Sequence, residues 1–228
     1  MKIGILQTGH APNAVQEFAG DYKDMFAKFL AEGGFEFETY DVVDMQFPVG
    51  PDACDGWLIT GSKHGAYEDH AFIPPLEDLI RAIYAADRPM VGVCFGHQII
   101  AQALGGKVEK FHGGWSIGHA EYIMEGLETP VPLNAWHQDQ VVEIPEGARV
   151  VGTSDFCENA MLAYGDKVLT VQPHPEFHDD FIEGLIDHRA KGVVPDDLQK
   201  EAKARIGHPK QSEMIADMFA KILKQPKG

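Results

Sequence analysis

Gly92-Val93-Cys94-Phe95-Gly96 sets a thiol between two glycines, after the apolar run that ends at Val93 and before the apolar-periodic segment Ile99 to Leu104. Small residues on both sides of a nucleophile permit a sharp strand-to-helix turn that lifts the side chain clear of a sheet. The same turn puts Cys94 at a helix N-terminus, where the dipole and the free N–H groups favour a thiolate. Cys94 therefore reads as a nucleophile rather than as core filling. Far downstream, Val168 to Val171 is a second apolar run, followed by Gln172-Pro173-His174-Pro175-Glu176. His174 and Glu176 stand two apart, so a strand ending there leaves both near one rim. A thiol needs a base, and the base needs an acceptor that fixes its tautomer. Cys94, His174 and Glu176 supply nucleophile, general base and orienting acid.

These residues need a scaffold that ends several strands together. Apolar runs alternate with helix-period segments, which predicts an α/β fold: a mostly parallel central sheet with helices on both faces, plus a few antiparallel strands. Lys2 to Gln7, Glu36 to Val42, Gly56 to Thr60, Pro89 to Val93 and Lys167 to Val171 read as strands, the fourth feeding Cys94. Ala14 to Ala31 reads as one helix stopped by Gly33-Gly34, and Pro74 starts another that runs to about Asp87. Trp115 to Met124 and Gln140 to Ile144 alternate like antiparallel strands, and Arg149 to Gly152 and Ala160 to Ala163 add more. Past His178 the chain turns helical and charged: Asp180 to Ala190, Pro195 to Ile206, and Glu213 to Lys224. The last carries Met214, Ile215, Met218, Phe219, Ile222 and Leu223 on one face, either a cap on the core or a docking face. The expected organisation is one domain over 1–190 with a helical extension, 191–228, packed on it, and Gln225 to Gly228 frayed.

Composition narrows the function. A formal charge of −16 argues against nucleic acid or an anionic membrane as a partner. No apolar run approaches the ~18 residues of a membrane span. The three cysteines, Cys54, Cys94 and Cys157, form neither a disulfide framework nor a metal-spaced pair, which suits a reduced cytoplasm. His10, His64, His97, His112 and His119 are scattered, with no His-x-x-x-His on one helix, so no catalytic metal is expected. Phosphate-binding glycine loops are missing as well, and no cofactor is expected.

Gly92-Val93-Cys94-Phe95-Gly96-His97-Gln98, Gln172-Pro173-His174-Pro175-Glu176 and the turn Leu58-Ile59-Thr60-Gly61-Ser62 together resemble the class I (triad) glutamine amidotransferase family. The resemblance spans roughly residues 1 to 190. Its nearest branch is the stand-alone domains similar to the amidotransferase half of GMP synthase, together with γ-glutamyl peptidases. It implies a flavodoxin-like layering and hydrolysis of a glutamine or γ-glutamyl amide through a thioester on Cys94. The oxyanion of the tetrahedral intermediate would be met by the Phe95 amide and by Gly61 or Ser62. This chain has Thr-Gly-Ser-Lys where many relatives have Gly-Gly-Pro, so the second donor stays open between those two. By the same resemblance Gln98, His137 and Asp139 would hold the glutamyl end, and Tyr67, Glu68 and Asp69 would line the mouth. Several functions share this chemistry: an amidotransferase subunit serving a separate synthase, or an autonomous γ-glutamyl hydrolase. A silent regulatory module and a cysteine α/β-hydrolase are the other readings. The last normally places its acid before the histidine, whereas Glu176 follows it.

Overall fold

A computed structural model describes residues 1–226; Lys227 and Gly228, part of the tail expected to fray, lie outside the described residues. The chain opens with β1 (Lys2–Leu6), α1 (Asn13–Ala19), α2 (Tyr22–Phe29), β2 (Glu36–Tyr40), β3 (Gly56–Ile59) and α3 (Ile73–Ala85). Then follow β4 (Met90–Val93), α4 (Phe95–Ala103), β5 (Lys107–Lys110), β6 (Ser116–Met124), β7 (Val131–His137) and β8 (Asp139–Glu143). It closes with β9 (Ala148–Thr153), β10 (Met161–Tyr164), β11 (Val168–Val171), α5 (Asp179–Leu185), α6 (Asp196–Ala204) and α7 (Ser212–Leu223).

Nine strands form one sheet in the order β2-β1-β3-β4-β11-β10-β9-β6-β7, and β5 pairs with β8 in a separate ribbon. Strands β2, β1, β3, β4 and β11 are mutually parallel, whereas β10, β9, β6 and β7 continue the sheet antiparallel. The fold is the α/β layering read from the sequence, with the parallel strands gathered in one half of the sheet.

The pleat sorts the core. Alternate side chains point to opposite faces. Trp57, Ile59 and Met90 join α3 and α4 in one cluster, while Ile3, Ile5, Leu58, Val91 and Val93 join Phe26 of α2 and the apolar stripe of α7 in the other. Gly4 faces the first cluster because a Cβ there would stand 2.3 Å from the Trp57 ring. In α7, Ile215, Phe219 and Leu223 are fully buried, so its apolar face belongs to the core and is no free docking surface. A third cluster joins Val15 of α1, Tyr22 and Met25 of α2, Phe181 and Leu185 of α5, Ile117 and Phe177.

Some expectations change. The helix expected over Ala14 to Ala31 is two helices. Gly20, at φ 81°, breaks it, and Asp21 caps α2 through a reciprocal box with Asp24. The helix expected over Asp180 to Ala190 is α-helical only to Leu185; Ile186–Ala190 is wound as a π-turn. Two strands were not expected. β5 is charged at Lys107, Glu109 and Lys110, and β7 contains Pro132. Strand β7 lies at the sheet's edge, where a missing N–H is tolerated.

Phe219 packs edge-on to Phe29, with ring centroids 6.2 Å apart. Truncation there leaves a cavity between α7 and the sheet. Phe219→Ala should cost about 3–5 kcal/mol, read as a lower urea midpoint at unchanged m-value. A loss below ~1 kcal/mol would place α7 outside the cooperative core.

Candidate active site

The site is built from chain segments that leave the parallel strands at one edge. The first is the turn at Cys94, between β4 and α4. Its backbone sits at φ 52° and ψ −104°, a conformation that L-residues rarely adopt. The flanking glycines make it possible. A Cβ on Gly92 would lie 2.7 Å from the carbonyl of Gly96, and a Cβ on Gly96 would lie 2.2 Å from the carbonyl oxygen of Ile59. Helix α4 therefore presses against β3 at a distance only glycine allows. Cys94 is 6% exposed and opens onto a cavity of about 300 Å3.

His174 enters from the turn after β11. Its backbone N–H donates to the carbonyl of Asn134 at 2.8 Å, and the Asn134 side chain donates to the Phe177 carbonyl at 2.9 Å. The edge strand β7 thus clamps both ends of the His-Pro-Glu turn. The imidazole lies flat on Phe177, with centroids 3.9 Å apart and planes 5° off parallel. Its Nδ1 is 2.7 Å from Oε1 of Glu176. Both side chains are almost wholly buried. Burial alone would push the imidazole's pKa down; the Glu176 carboxylate and the Cys94 thiol beside it outweigh burial and raise it. Nδ1 is committed to Glu176, so Nε2 is the nitrogen left for proton exchange. Gly61 lies against both side chains: a Cβ built on it would be 2.9 Å from Cε1 of His174 and 3.7 Å from Cβ of Cys94.

Gly61 and Ser62 form the turn after β3. The hydroxyls of Thr8 and Thr60 each lie 3.0 Å from the Gly61 carbonyl oxygen, so that carbonyl faces inward. In a trans peptide the next N–H points the opposite way. This turns the Ser62 amide away from the threonines, and Ser62 lines the cavity. The Ser62 hydroxyl is already used: it donates to the Thr8 carbonyl at 2.8 Å. The Phe95 amide is the first of α4, among the N–H groups that have no partner within the helix.

The remaining expected residues have mixed surroundings. Gln98 lines the cavity, but both hydrogens of its amide are spent on the Asp139 carbonyl at 2.9 Å and on Oε1 of Gln172 at 3.0 Å. It ties α4 to β8 and to the end of β11. His137 donates from Nδ1 to the Asp139 carbonyl at 3.3 Å, and burial holds its pKa down to about 3. The Asp139 carboxyl lines the cavity beside the Tyr67 hydroxyl, and burial raises its pKa. Tyr67 and Glu68 also line the cavity, whereas Asp69 does not. The structure adds Tyr22, Trp115, Trp136 and the cations Lys63, Lys110 and Arg189 to the lining. None of these carries a local motif, and only the fold brings them together.

Known proteins frame this geometry. The family model described as glutamine amidotransferase class-I matches residues 17–180. γ-Glutamyl peptidase 4 of Arabidopsis thaliana is 32% identical, over 90% of this chain and 86% of that protein. A glutamine-hydrolysing GMP synthase of Pyrobaculum aerophilum is 30% identical over 79% of this chain but only 34% of its own length. Among solved structures, a glutamine amidotransferase from Methylobacillus flagellatus superposes with a TM-score of 0.77, covering all of this chain and 96% of that one, at 21% identity.

The three thiols differ in surroundings. Burial raises the pKa of Cys54, and it raises that of Cys157 to about 12. Cys94 alone of the three lines the cavity. Iodoacetamide should therefore alkylate Cys94 and spare the other two in the folded chain, as peptide mapping by mass spectrometry would report. Equal labelling of all three would contradict this ordering.

Proposed function

The chain belongs to the class I glutamine amidotransferase family, and from that premise we propose that it hydrolyses γ-glutamyl amides through a thioester on Cys94. The observation that carries this reading is the convergence of a strained cysteine, a carboxylate-oriented imidazole and an inward-pinned glycine turn around one cavity.

Nε2 of His174 takes the thiol proton, and the Cys94 sulfur attacks the γ-carbonyl. The charge that develops on the carbonyl oxygen is met by the backbone N–H groups of Phe95 and Ser62. Of the two candidates at the second position, Ser62 fits, because the Gly61 carbonyl is held inward and its own side chain is occupied. Such donors are worth about 2.7–4 kcal/mol each when aimed at the oxyanion rather than at the ground-state carbonyl. The imidazolium then protonates the leaving amine. Water attacks the thioester, His174 again removing its proton, and the glutamyl product leaves. Glu176 stabilises the imidazolium throughout and keeps Nδ1 protonated. Lys63, Lys110 and Arg189, set among the carboxylates of Glu68 and Asp139, give the cavity groups of both signs suited to the carboxylate and amino ends of a substrate.

Two leaving groups fit this chemistry: ammonia, with a separate synthase to receive it, or the amine of a γ-glutamyl conjugate. The surroundings of the oxyanion turn favour the second. Its carbonyl is fixed by two threonines of the chain itself, so no partner is needed to orient it. Trp115, Trp136 and Arg189 line the same cavity of about 300 Å3, which offers apolar surface and charge to a larger leaving group.

Substitutions separate the roles. Cys94→Ala should abolish turnover while the chain still folds, removing one buried sulfur and costing on the order of 1 kcal/mol, read by circular dichroism and urea midpoint. His174→Ala should lower kcat by at least ~10²–10⁴-fold. Glu176→Gln should be milder, because an amide still accepts the Nδ1–H bond but no longer stabilises the charged ring. Equal losses in every kinetic constant for the last two would refute this division.

Steady-state kinetics on the purified chain decide between leaving groups. Activity on a γ-glutamyl dipeptide should exceed that on free glutamine without any added protein. A chain silent on both, and active only after one other protein is supplied, would establish the synthase-dependent reading instead.

A further inference from the structure

We propose that His64, Glu68 and His70 form a binding site for a zinc-like divalent cation at the lip of the cavity. No helix of the described residues carries two histidines at metal spacing (His174 and His178 are four apart but precede α5), and this set escapes that pattern because it lies on a loop, the one between β3 and α3. One ligand atom from each of the three side chains lies within 4.8 Å of the others. Nε2 of His70 is 2.8 Å from Oε2 of Glu68, and Nδ1 of His64 is 3.9 Å from the same oxygen. The imidazoles lean together, with centroids 4.1 Å apart.

The donor set is right for the ion. Two imidazoles and one carboxylate are a recurrent zinc ligand set, with bonds of ~2.0–2.2 Å; at tetrahedral angles the ligand atoms then stand about 3.4 Å apart. The present separations bracket that value, so small side-chain rotations close the set. One carboxylate charge with two neutral rings offsets half of a dication's charge and leaves a coordination position open. Lys63 and Arg189 are the cations that act on His64; Lys63 is exposed and Arg189 half-buried at the cavity, so water and salt screen the first more than the second.

The loop holds the ligands in place before any ion arrives. The Glu68 N–H donates to the Gly65 carbonyl at 3.0 Å, and the Ile73 N–H donates to the His70 carbonyl at 3.0 Å. Phe72 backs both imidazoles, at 5.8 Å from His64 and 5.9 Å from His70. Phe72 itself packs on Phe95, the residue after Cys94, at 6.1 Å. His64 and Glu68 line the same cavity as Cys94. An ion held here would fasten the loop that starts at the Gly61-Ser62 turn, at the edge of the cavity onto which Cys94 opens. The inference does not depend on the role of Cys94.

Cobalt(II) is the probe, titrated into the whole purified chain by calorimetry and absorption. Cys94 and His174 are a rival site, so the Cys94→Ala variant is titrated in parallel. The expected result is one Co2+ per chain in both, with d–d bands and no thiolate charge-transfer band. The double substitution His64→Ala with His70→Ala should weaken binding more than ~100-fold, beyond the usual cost of losing an outer-shell partner. Glu68→Gln, which keeps the loop's shape, should weaken it by at least ~10-fold. Binding should also raise the Tm of the parent chain and not that of the double variant. Absence of saturable binding, binding that survives the double substitution and Glu68→Gln, or binding lost with Cys94→Ala would each overturn the proposal.

Discussion

The left-handed backbone of Cys94 is the constraint on which the rest of the site depends. A residue held in such a conformation costs of order 1–3 kcal/mol and persists only where its surroundings fix it. Here they do so from both sides. Gly92 pairs with Ile59 of β3 and Val93 with Val171 of β11 in the middle of the sheet, and the Cys94 N–H donates to the Val171 carbonyl. Helix α4 follows at once and lies directly on β3, an approach that a side chain at Gly96 would prevent. The strain thus sets the thiol at the mouth of the sheet, with the first amide of a helix beside it.

Parallel strands then bring the other parts to the same edge. Strands β1, β3, β4 and β11 run side by side, so the segments after their C-terminal ends meet: Thr8, Gly61, Cys94 and His174. Crevices outside the carboxyl ends of such strands are the usual place for ligands in open α/β sheets. The antiparallel half has a different task. Its edge strand β7 bends back over the end of β11 and clamps the turn that carries His174 and Glu176. The parallel half delivers Cys94, His174 and the Gly61 turn to one edge, and the antiparallel half fixes the orientation of His174.

How legible each part was follows from the range of the interaction that makes it. Cys94 with its glycines, and His174 with Glu176, are local patterns in which neighbouring residues set the geometry, so the sequence discloses them. The buried strands declare themselves through apolar runs for the same reason. Pinning of the Gly61 carbonyl by Thr8 joins residues more than fifty positions apart through the β1–β3 pairing, and no local pattern records it. Strand β7 was hidden because Pro132, Asn134 and His137 look like a polar loop, although an edge strand tolerates each of them. The break at Gly20-Asp21 was readable: a glycine followed by an Asp-x-x-Asp cap is a helix restart, which the apolar spacing across it obscured. The π-turn at Ile186–Ala190 has no comparable signature.

Three buried histidines show how position sorts chemistry within one small volume. His97, His137 and His174 are each nearly or wholly inaccessible to water. Burial disfavours the imidazolium in all of them. His97 meets neutral partners, the Thr170 hydroxyl at 2.8 Å and the backbone at Asn159, and burial takes its pKa to about 3. His137 finds only a backbone carbonyl and is brought to about 3 by the same cause. Both are fixed as neutral hydrogen-bonding struts, His97 tying α4 to β11 and His137 bracing the start of β8. His174 experiences the same desolvation, yet its pKa is raised, because a carboxylate stands 2.7 Å from Nδ1 and a thiol lies on its other side. A single glutamate two residues along the chain therefore decides which buried imidazole accepts a proton. That glutamate can act only because the turn between them is held at both ends by Asn134.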